Sequence, residues 1–351
     1  MILCGFGVVG RSLAKLLESR ADDLYVGYGL KPRIVAVSDN GGMACDTAGL
    51  DCARLVRAKE QKGTVAAYGG GGHGGGSSSK GKGSSSPTAA EMAEAVSGAD
   101  VLVETTPSNY KDAEPGMTNI TDAMKRRMHV VSVNKGPLAL AFPSLNELAA
   151  YNRVMFRFSG TVGGGTPILD YAKNSLSGER ITSFSGILNG TTNYILSAMA
   201  EGMSPKAALQ DARTKGYVEA DESLDLDGLD AAAKLVILAN WIMGMKVTMP
   251  DVSCTGIRGV TSADIKKAAK RNRVVKMTAA CGNDALTVAP VTIPRDDPLC
   301  VNGTLNAISF TSEHSGTQTI IGRGAGGTET ASAILRDLLY IRQGITSGAY
   351  G

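Results

Sequence analysis

Several ionisable residues between 216 and 234, in the sequence GYVEADESLDLDGLDAAAK, have types and spacing that suit acid–base chemistry. Asp230 and Lys234 are separated so that, on a helix, they lie one turn apart on the same face. The apolar run that follows, LVILANWIM, predicts that this helix is largely buried. A lysine beside a carboxylate in such a place is suited to give or take a proton. Glu219 and Asp225 precede the helix, in a loop expected to bend over the same cleft.

The letters DLDG in this stretch also resemble part of a calcium-binding EF-hand loop. Aligned on its glycine, such a loop would begin at Ser223 and would need its bidentate acid at the position of Lys234. A cation at that position argues against calcium. The carboxylates are therefore predicted to meet a different positive group.

A second candidate site is the hexapeptide GFGVVG, which matches the pattern GxGxxG with Gly5, Gly7 and Gly10. It follows a short apolar strand and precedes a helix whose leucines share one face. The glycines permit a tight turn and a close approach to a pyrophosphate, while the helix supplies unpaired N–H groups. This context predicts dinucleotide binding.

The choice of cofactor depends on the end of the second predicted strand, 33–40. An acid at that place binds a ribose hydroxyl of NAD, and Asp39 is the candidate. Basic neighbours could instead hold the 2′-phosphate of NADP: Arg11, Arg54, Arg57, Lys59 and Lys62. Both cofactors stay open, with NADP the favoured one.

Two polar segments, 104–108 and 132–136, come at the carboxyl ends of predicted strands, where open α/β sheets bind ligands. Lys135 in the second segment is expected to hold a carboxylate or to lie beside the nicotinamide. The alternative is a lysine whose ammonium simply reaches solvent.

Alternating strand and helix patterns predict an α/β fold, with a Rossmann-type doubly wound parallel sheet over 1–150. The later patterns predict an α+β domain over 151–321 for substrate binding, catalysis and dimerisation. The final helix, in 322–351, is expected to return to the first domain. The Gly/Ser-rich segment 63–87 is predicted to be a flexible surface insertion, with a lid or phosphate-gripping loop as the alternative.

Composition excludes several classes of protein. A net charge of only +3 and a single Trp are unlike a nucleic-acid-binding protein. Three His and six scattered Cys form no zinc set at ligand spacing. The N-terminus lacks the features of a signal peptide, and no apolar run is long enough for a membrane span. A cytoplasmic protein with reduced thiols is expected.

In order, the motifs GFGVVG, SVNK, GTVGGGTPI, SGILNGTTNYIL, GYVEAD…DLDGLDAAAK and GRGAGG…TASAIL resemble those of homoserine dehydrogenases over nearly the whole chain. The resemblance implies NAD(P)-dependent interconversion of L-homoserine and L-aspartate 4-semialdehyde, on the route to threonine and methionine. It also implies a homodimer, in a short form without a C-terminal regulatory domain.

The resemblance further implies a role for each matching residue. Lys234 would be the acid–base group, Glu219 and Asp230 would bind homoserine, and Asp225 would support them. Lys135 would lie between nicotinamide and substrate and would count with Lys234 and Asp230 as catalytic. The matching cofactor contacts are Gly7, Val8, Val9, Thr106, Gly216 and Gly326.

The family also places a structural sodium ion on backbone carbonyls that here belong to Val162, Gly164 and Thr166. Its usual Glu ligand is replaced by Ser159, so the anionic ligand is missing. Two alternatives to this function remain: another amino-acid or semialdehyde dehydrogenase, and a non-catalytic dinucleotide sensor. A thioester-forming enzyme would need an activated cysteine, but Cys254 and Cys281 have no neighbouring His.

Overall fold

The computed structural model describes residues 1–69, 77–80 (backbone only), 87–96, 98–218, 221–283 and 285–348. The chain divides into two compact units, one formed by Met1–Thr161 with Gly326–Gly351 and the other by Val162–Ala325.

The structure contains strands in both units. They are β1 Ile2–Cys4, β2 Ala36–Asp39, β3 Gly42–Cys45, β4 Ser77–Lys80, β5 Val101–Glu104, β6 His129–Ser132, β7 Phe156–Arg157, β8 Ile181–Ile187, β9 Ser253–Cys254, β10 Arg273–Gly282, β11 Ala285–Pro294, β12 Leu305–Ser312 and β13 Gly316–Arg323. The helices are α1 Val8–Ser19, α2 Ala21–Tyr28, α3 Cys52–Lys62, α4 Ala89–Ala95, α5 Gly116–Lys125, α6 Lys135–Tyr151, α7 Ile168–Asp170, α8 Gly190–Ala200, α9 Pro205–Thr214, α10 Ser223–Leu226, α11 Leu229–Met243, α12 Ser262–Ala269 and α13 Gly327–Thr346.

The sheet of the first unit has the strand order β4-β3-β2-β1-β5-β6-β7 among the described residues. Strands β2, β1, β5, β6 and β7 are parallel, and β3 and β4 extend the sheet in antiparallel pairs. Both faces of such strands are buried, which explains their continuous apolar sequences. The predicted α/β fold is confirmed. The unit extends past the boundary predicted at 150, because β7 pairs with β6.

Helix α13 belongs to the first unit and packs against α1. Its apolar face joins the core of the parallel sheet through Ala331, Ile334, Leu338 and Ile341, each buried. These apolar residues recur at helical spacing and form one stripe, and burial of that stripe stabilises the helix in this position.

Part of the predicted insertion 63–87 has regular structure. Val65–Ala67 forms a 3₁₀ turn in which Val65 is fully buried, and the backbone of β4 pairs with β3. The described residues of this segment therefore include regular structure. The remainder of the insertion, 70–76 and 81–86, lies outside the described residues.

The second unit contains a mixed sheet with the order β13-β12-β8-β10-β11-β9. Its strands pair antiparallel, apart from the parallel contact of β9 with β11. Helices α8, α11 and α12 pack against β10. In the described part of the chain, no helix has both the length and the apolar character to cross a membrane.

Candidate functional site

The predicted Asp/Lys pair lies on α11, in the second unit. Lys234 is only 6% exposed, and its Nζ donates to Asp230 Oδ2 at 2.7 Å and to the carbonyl oxygen of Leu188 at 2.7 Å. An ammonium has three N–H donors, and these contacts use two. The buried sequence around Lys234 holds the ammonium where the helix meets the residues that follow β8.

Asn189 connects the two predicted carboxylates. The sequence patterns did not predict this residue as part of the site. Its Nδ2 donates to Asp225 Oδ1 at 2.6 Å and to Asp230 Oδ2 at 2.9 Å. Its Oδ1 meanwhile accepts from the backbone N–H of Thr192 and caps α8. A side-chain amide adds no charge of its own when it donates to two carboxyl groups. The only available signal was an Asn directly before a helix.

The two predicted carboxylates and the amide that connects them are removed from solvent. Asp225, Asp230 and Asn189 are all largely buried, with Asp225 8% exposed and the Asp230 side chain 15% exposed. The Lys234 ammonium contacts Asp230, and Asn189 connects Asp230 to Asp225, so two acidic side chains and one lysine lie together. Glu219 lies outside the described residues. Gly216 follows α9 with a φ of 72° and is not drawn into this cluster by any described contact.

The glycine motif forms the predicted turn in the first unit. Gly5 has a φ of 88°, and a Cβ there would lie 2.8 Å from the backbone of Thr105. Around Gly7, by contrast, a Cβ would meet nothing within 4 Å. Helix α1 begins at Val8 without a side-chain cap, so its first N–H groups are suited to an anion.

Segments 104–108 and 132–136 meet beside this turn. The Thr105 hydroxyl donates to the carbonyl oxygen of Gly5 at 2.8 Å. Asn134 Nδ2 donates to Thr106 Oγ1 at 3.1 Å, and the backbone N–H of Lys135 donates to Ser108 Oγ at 2.9 Å. The carboxyl ends of β1, β5 and β6 thus carry one connected polar edge, as expected for parallel strands.

The turn before α13 reaches the same edge. Gly326 has a φ of 137° and precedes Gly327, where a Cβ would lie 2.6 Å from Val8 Cγ1. The predicted cofactor residues Val8, Thr106, Lys135 and Gly326 are therefore gathered within the first unit.

Asp39 is occupied by contacts within the protein. Its two carboxylate oxygens accept from Lys59 Nζ at 2.7 Å, Thr64 Oγ1 at 2.8 Å and the backbone N–H groups of Gly41 and Val65 at 2.9 Å. A carboxylate offers about four acceptor positions, so these donors fill them. Asp39 is 5% exposed and holds the segment after α3, rather than presenting an open acceptor for a ribose hydroxyl.

Ser159 does not fit the role of an anionic sodium ligand. Its hydroxyl donates to Asp337 Oδ1 at 2.6 Å, and its backbone N–H donates to Asp337 Oδ2 at 2.9 Å. Arg157 Nε lies 3.1 Å from the same carboxylate, which is fully buried. The carbonyl of Thr166 accepts from the N–H of Ile168 at 2.8 Å. The serine therefore donates to an acid that an arginine already neutralises.

Comparisons with known proteins show the family of this chain. A family model described as homoserine dehydrogenase matches residues 167–339. A homoserine dehydrogenase from Methanocaldococcus jannaschii is 42% identical over 97% of this chain and 98% of its own length. The chain belongs to the homoserine dehydrogenase family. An NAD(+)-dependent homoserine dehydrogenase from Pseudomonas canavaninivorans is 39% identical over 99% of this chain and 97% of that relative.

A solved homoserine dehydrogenase also shares the fold. The structure of a hyperthermophilic archaeal homoserine dehydrogenase in complex with NADPH has a TM-score of 0.82 and 27% identity, covering 97% of each chain. The homoserine dehydrogenase resemblance stated from the motifs is thus confirmed over nearly the whole chain.

Cys254 is not placed in an environment that would activate its thiol. Desolvation and the Asp227 carboxylate raise the pKa of the Cys254 thiol, which opposes formation of a nucleophilic thiolate. Within the part of the chain that the structure describes, no group of three or more His, Cys, Asp or Glu side chains is arranged to hold a metal ion. The raised pKa of the Cys254 thiol argues against the thioester-forming alternative at this residue.

Proposed function

We propose that this chain interconverts L-homoserine and L-aspartate 4-semialdehyde, with Lys234 as the acid–base group. Family membership makes the chain an NAD(P)-dependent oxidoreductase that acts on a CH–OH group. The observation that supports the residue assignment is the buried Lys234 ammonium, held by Asp230 and by the carbonyl oxygen of Leu188.

Lys234 takes the hydroxyl proton when homoserine is oxidised. A bound NAD or NADP supplies the hydride acceptor for the carbinol carbon. The neutral amine of Lys234 accepts the proton as the carbonyl forms, and in the reverse direction the ammonium donates a proton to the developing alkoxide. Its two fixed contacts orient the remaining N–H toward a ligand, which limits the geometries for proton transfer.

Asp225 and Asp230 bind the ammonium group that homoserine and the semialdehyde both carry. The bridge from Asn189, which holds the two carboxyl groups next to each other, supports this assignment. Glu219 is proposed as a further ammonium ligand because of its place in the family motif. Because substrate and product share the ammonium, this binding holds both without favouring either.

The first unit holds the cofactor. We assign its contacts to the polar edge at the carboxyl ends of β1, β5 and β6, and Lys135 is proposed to lie beside nicotinamide and substrate. The residues of this unit that are proposed to contact it are Gly5, Gly7, Val8, Val9, Gly10, Thr106, Lys135 and Gly326. The engaged Asp39 carboxylate supports NADP over NAD, since an open acid is what selects the unphosphorylated ribose.

A homodimer is proposed to form through the second sheet. Half-buried hydroxyls of Ser183, Ser185, Ser309 and Thr311 line a cavity of about 500 Å³ on one face of that sheet. A second copy would cover this face. Light scattering should give twice the chain mass of 36.3 kDa, and Ser309→Arg should return the monomer mass.

The compartment proposed is the cytoplasm. All six cysteines, each of them among the described residues, are free thiols, which suits a reducing environment. Fractionation of source cells should recover the chain with cytoplasmic markers.

The reaction assay tests the function directly. Purified chain should reduce NAD or NADP in the presence of L-homoserine, followed by the absorbance band of the reduced nicotinamide. Running both cofactors also measures their ratio of kcat/KM, which should favour NADP. Absence of homoserine-dependent reduction with either cofactor contradicts the proposal, and a ratio that favours NAD contradicts only the cofactor preference.

A further inference from the structure

We propose that Glu104 is a positioning residue for cofactor binding, acting through Thr106 and Asn134. Glu104 is the last residue of β5 and has no part in the proton transfer assigned above. The proposal rests on the proposed function, because it takes Thr106 as a cofactor contact. It adds a residue whose role is to hold the shape of the polar edge.

Glu104 is a fully buried carboxyl group held by neutral donors. Its Oε1 accepts from the backbone N–H of Thr106 at 2.7 Å and from the Thr106 hydroxyl, and its Oε2 accepts from Asn119 Nδ2 at 2.8 Å. Burial raises the pKa of Glu104, while these donors oppose the rise. A buried acid is costly, and a position on this turn gives a reason for retaining it.

These contacts fix both the backbone and the side chain of Thr106. The hydroxyl that donates to Glu104 also accepts from Asn134 Nδ2 at 3.1 Å. Asn134 in turn caps α6 by accepting from the N–H of Gly136 at 3.0 Å, directly after Lys135. A single carboxyl group therefore orients Thr106 and, through Asn134, the start of the helix that begins at Lys135.

Asn119 sets a requirement that only a carboxylate at 104 meets. Its Oδ1 accepts from the backbone N–H of Ala89 at 3.0 Å, so its Nδ2 must be the group that faces Glu104. Donors thus approach Glu104 from both sides. A glutamine at 104 has one acceptor and one donor atom, so either orientation places two donors face to face.

The exchange of the two side-chain types tests this. In Glu104→Gln with Asn119→Asp, the Gln amide donates to the Asp, the Asp accepts from Ala89, and the Gln oxygen accepts from Thr106. The double variant restores the donor–acceptor pattern that each single variant breaks. His129→Leu is the matched control. It removes a buried polar side chain at the first residue of β6, whereas the polar edge lies beyond the last residue of that strand.

Titration of each full-length variant with NADPH, followed by nicotinamide fluorescence, measures the cofactor dissociation constant. We expect Glu104→Gln to raise it about tenfold, and the double variant to return it to within about threefold of the parent. His129→Leu should lower the melting temperature and leave NADPH binding unchanged. The KM for homoserine measured at saturating cofactor should change less than the cofactor constant.

Two results would overturn the positioning role. One is NADPH binding by Glu104→Gln within about twofold of the parent, whatever its melting temperature. The other is a folded double variant that binds NADPH as weakly as the worse single variant. This second measurement tests the positioning role even if Glu104→Gln alone does not fold. A different result would contradict the proposed function instead: the parent chain shows no homoserine-dependent activity, although it binds NADPH and this binding depends on Glu104.

Discussion

Lys234 Nζ and Asp230 Oδ2 lie 2.7 Å apart across one turn of α11, with the ammonium and the carboxylate both largely buried. The carbonyl oxygen of Leu188 accepts a second N–H of the same ammonium. A buried charge is tolerated only when it is paired and hydrogen-bonded, and this lysine meets both conditions. The position of the Lys234 ammonium is therefore set by contacts on two sides. A lysine held in this way is suited to proton transfer.

Replacing Lys234 separates proton transfer from binding. Lys234→Arg keeps a positive charge beside Asp230 but removes a group able to lose its proton, so kcat should fall about 10²–10⁴-fold. The dissociation constant for NADPH, measured by fluorescence titration, should remain that of the parent. Retention of more than a tenth of the parent turnover would exclude Lys234 as the acid–base group.

Asn189 should affect homoserine more than cofactor. Asn189→Ser keeps an oxygen that can cap α8 but loses the amide that joins Asp225 and Asp230. The KM for homoserine should rise about tenfold, since two mutually repelling carboxylates lose their bridge. Ser204→Ala, which removes only the cap of α9, is the control for helix capping. An unchanged KM for homoserine in Asn189→Ser would show that the bridge is dispensable.

The pair of Arg157 with Asp337 should be important for stability. Asp337→Ala leaves a guanidinium that is only 11% exposed without its carboxylate, so the free energy of unfolding should fall by about 3–5 kcal/mol. Urea denaturation measures this loss. The double variant Arg157→Met with Asp337→Leu should lose less, because neither charge is left behind. If Asp337→Ala and the double variant lose the same free energy of unfolding, an unpaired buried charge is not the cause of the loss.

Activity should not depend on sodium. Ser159 donates to Asp337 and supplies no negative charge for a cation. Turnover in sodium chloride and in choline chloride at equal ionic strength should therefore agree within about twofold, as expected when only general screening acts. A large loss of turnover in choline, recovered by added sodium, would show that a cation site exists without the acidic ligand.

Lys276 should make stability depend on pH. Burial lowers its pKa to about 8 from 10.5, although its Nζ donates to oxygens of Asn193, Ser197 and Val301. Between these two values the unfolded chain binds more protons, so the free energy of unfolding should rise with pH, by at most about 1.4 kcal/mol per unit. The gain is complete above pH 10.5 and is lost as the pH falls through 8.

Urea denaturation across that range measures the slope, with Lys276→Met as the control. The variant has no titrating group at this position, so its slope should be smaller by the contribution of Lys276. Identical slopes in both proteins would mean that the oxygens around the ammonium fully offset its burial.

Local patterns predicted the helix that carries Asp230 and Lys234 and the alternating elements of the first unit. The apolar sequence after Lys234 predicted that the helix now seen as α11 is buried, because helical periodicity and burial are properties of the segment itself. The parallel strands were likewise visible as short apolar runs ending in polar residues.

The contacts that complete each site were not predictable in this way. Asn189 reaches Asp230 from 41 positions earlier, and Glu104 is a buried acid at a strand end where an exposed one is the usual case. The position of Asp39 at the end of a predicted strand made it the candidate ribose ligand, yet in the fold its carboxylate accepts hydrogen bonds from Lys59 and Thr64. Such pairings arise from tertiary packing, which a single sequence does not display.

The return of α13 to the first unit has a consequence for the order of assembly during synthesis. Val162–Ala325 is contiguous and is complete once residue 325 has emerged from the ribosome. The parallel sheet, although it begins with residue 2, still lacks the apolar side chains of α13 and the Asp337 partner of Arg157 at that moment. Domains usually complete their folding from the N-terminal side onward. In this chain the unit that starts first is the one that finishes last.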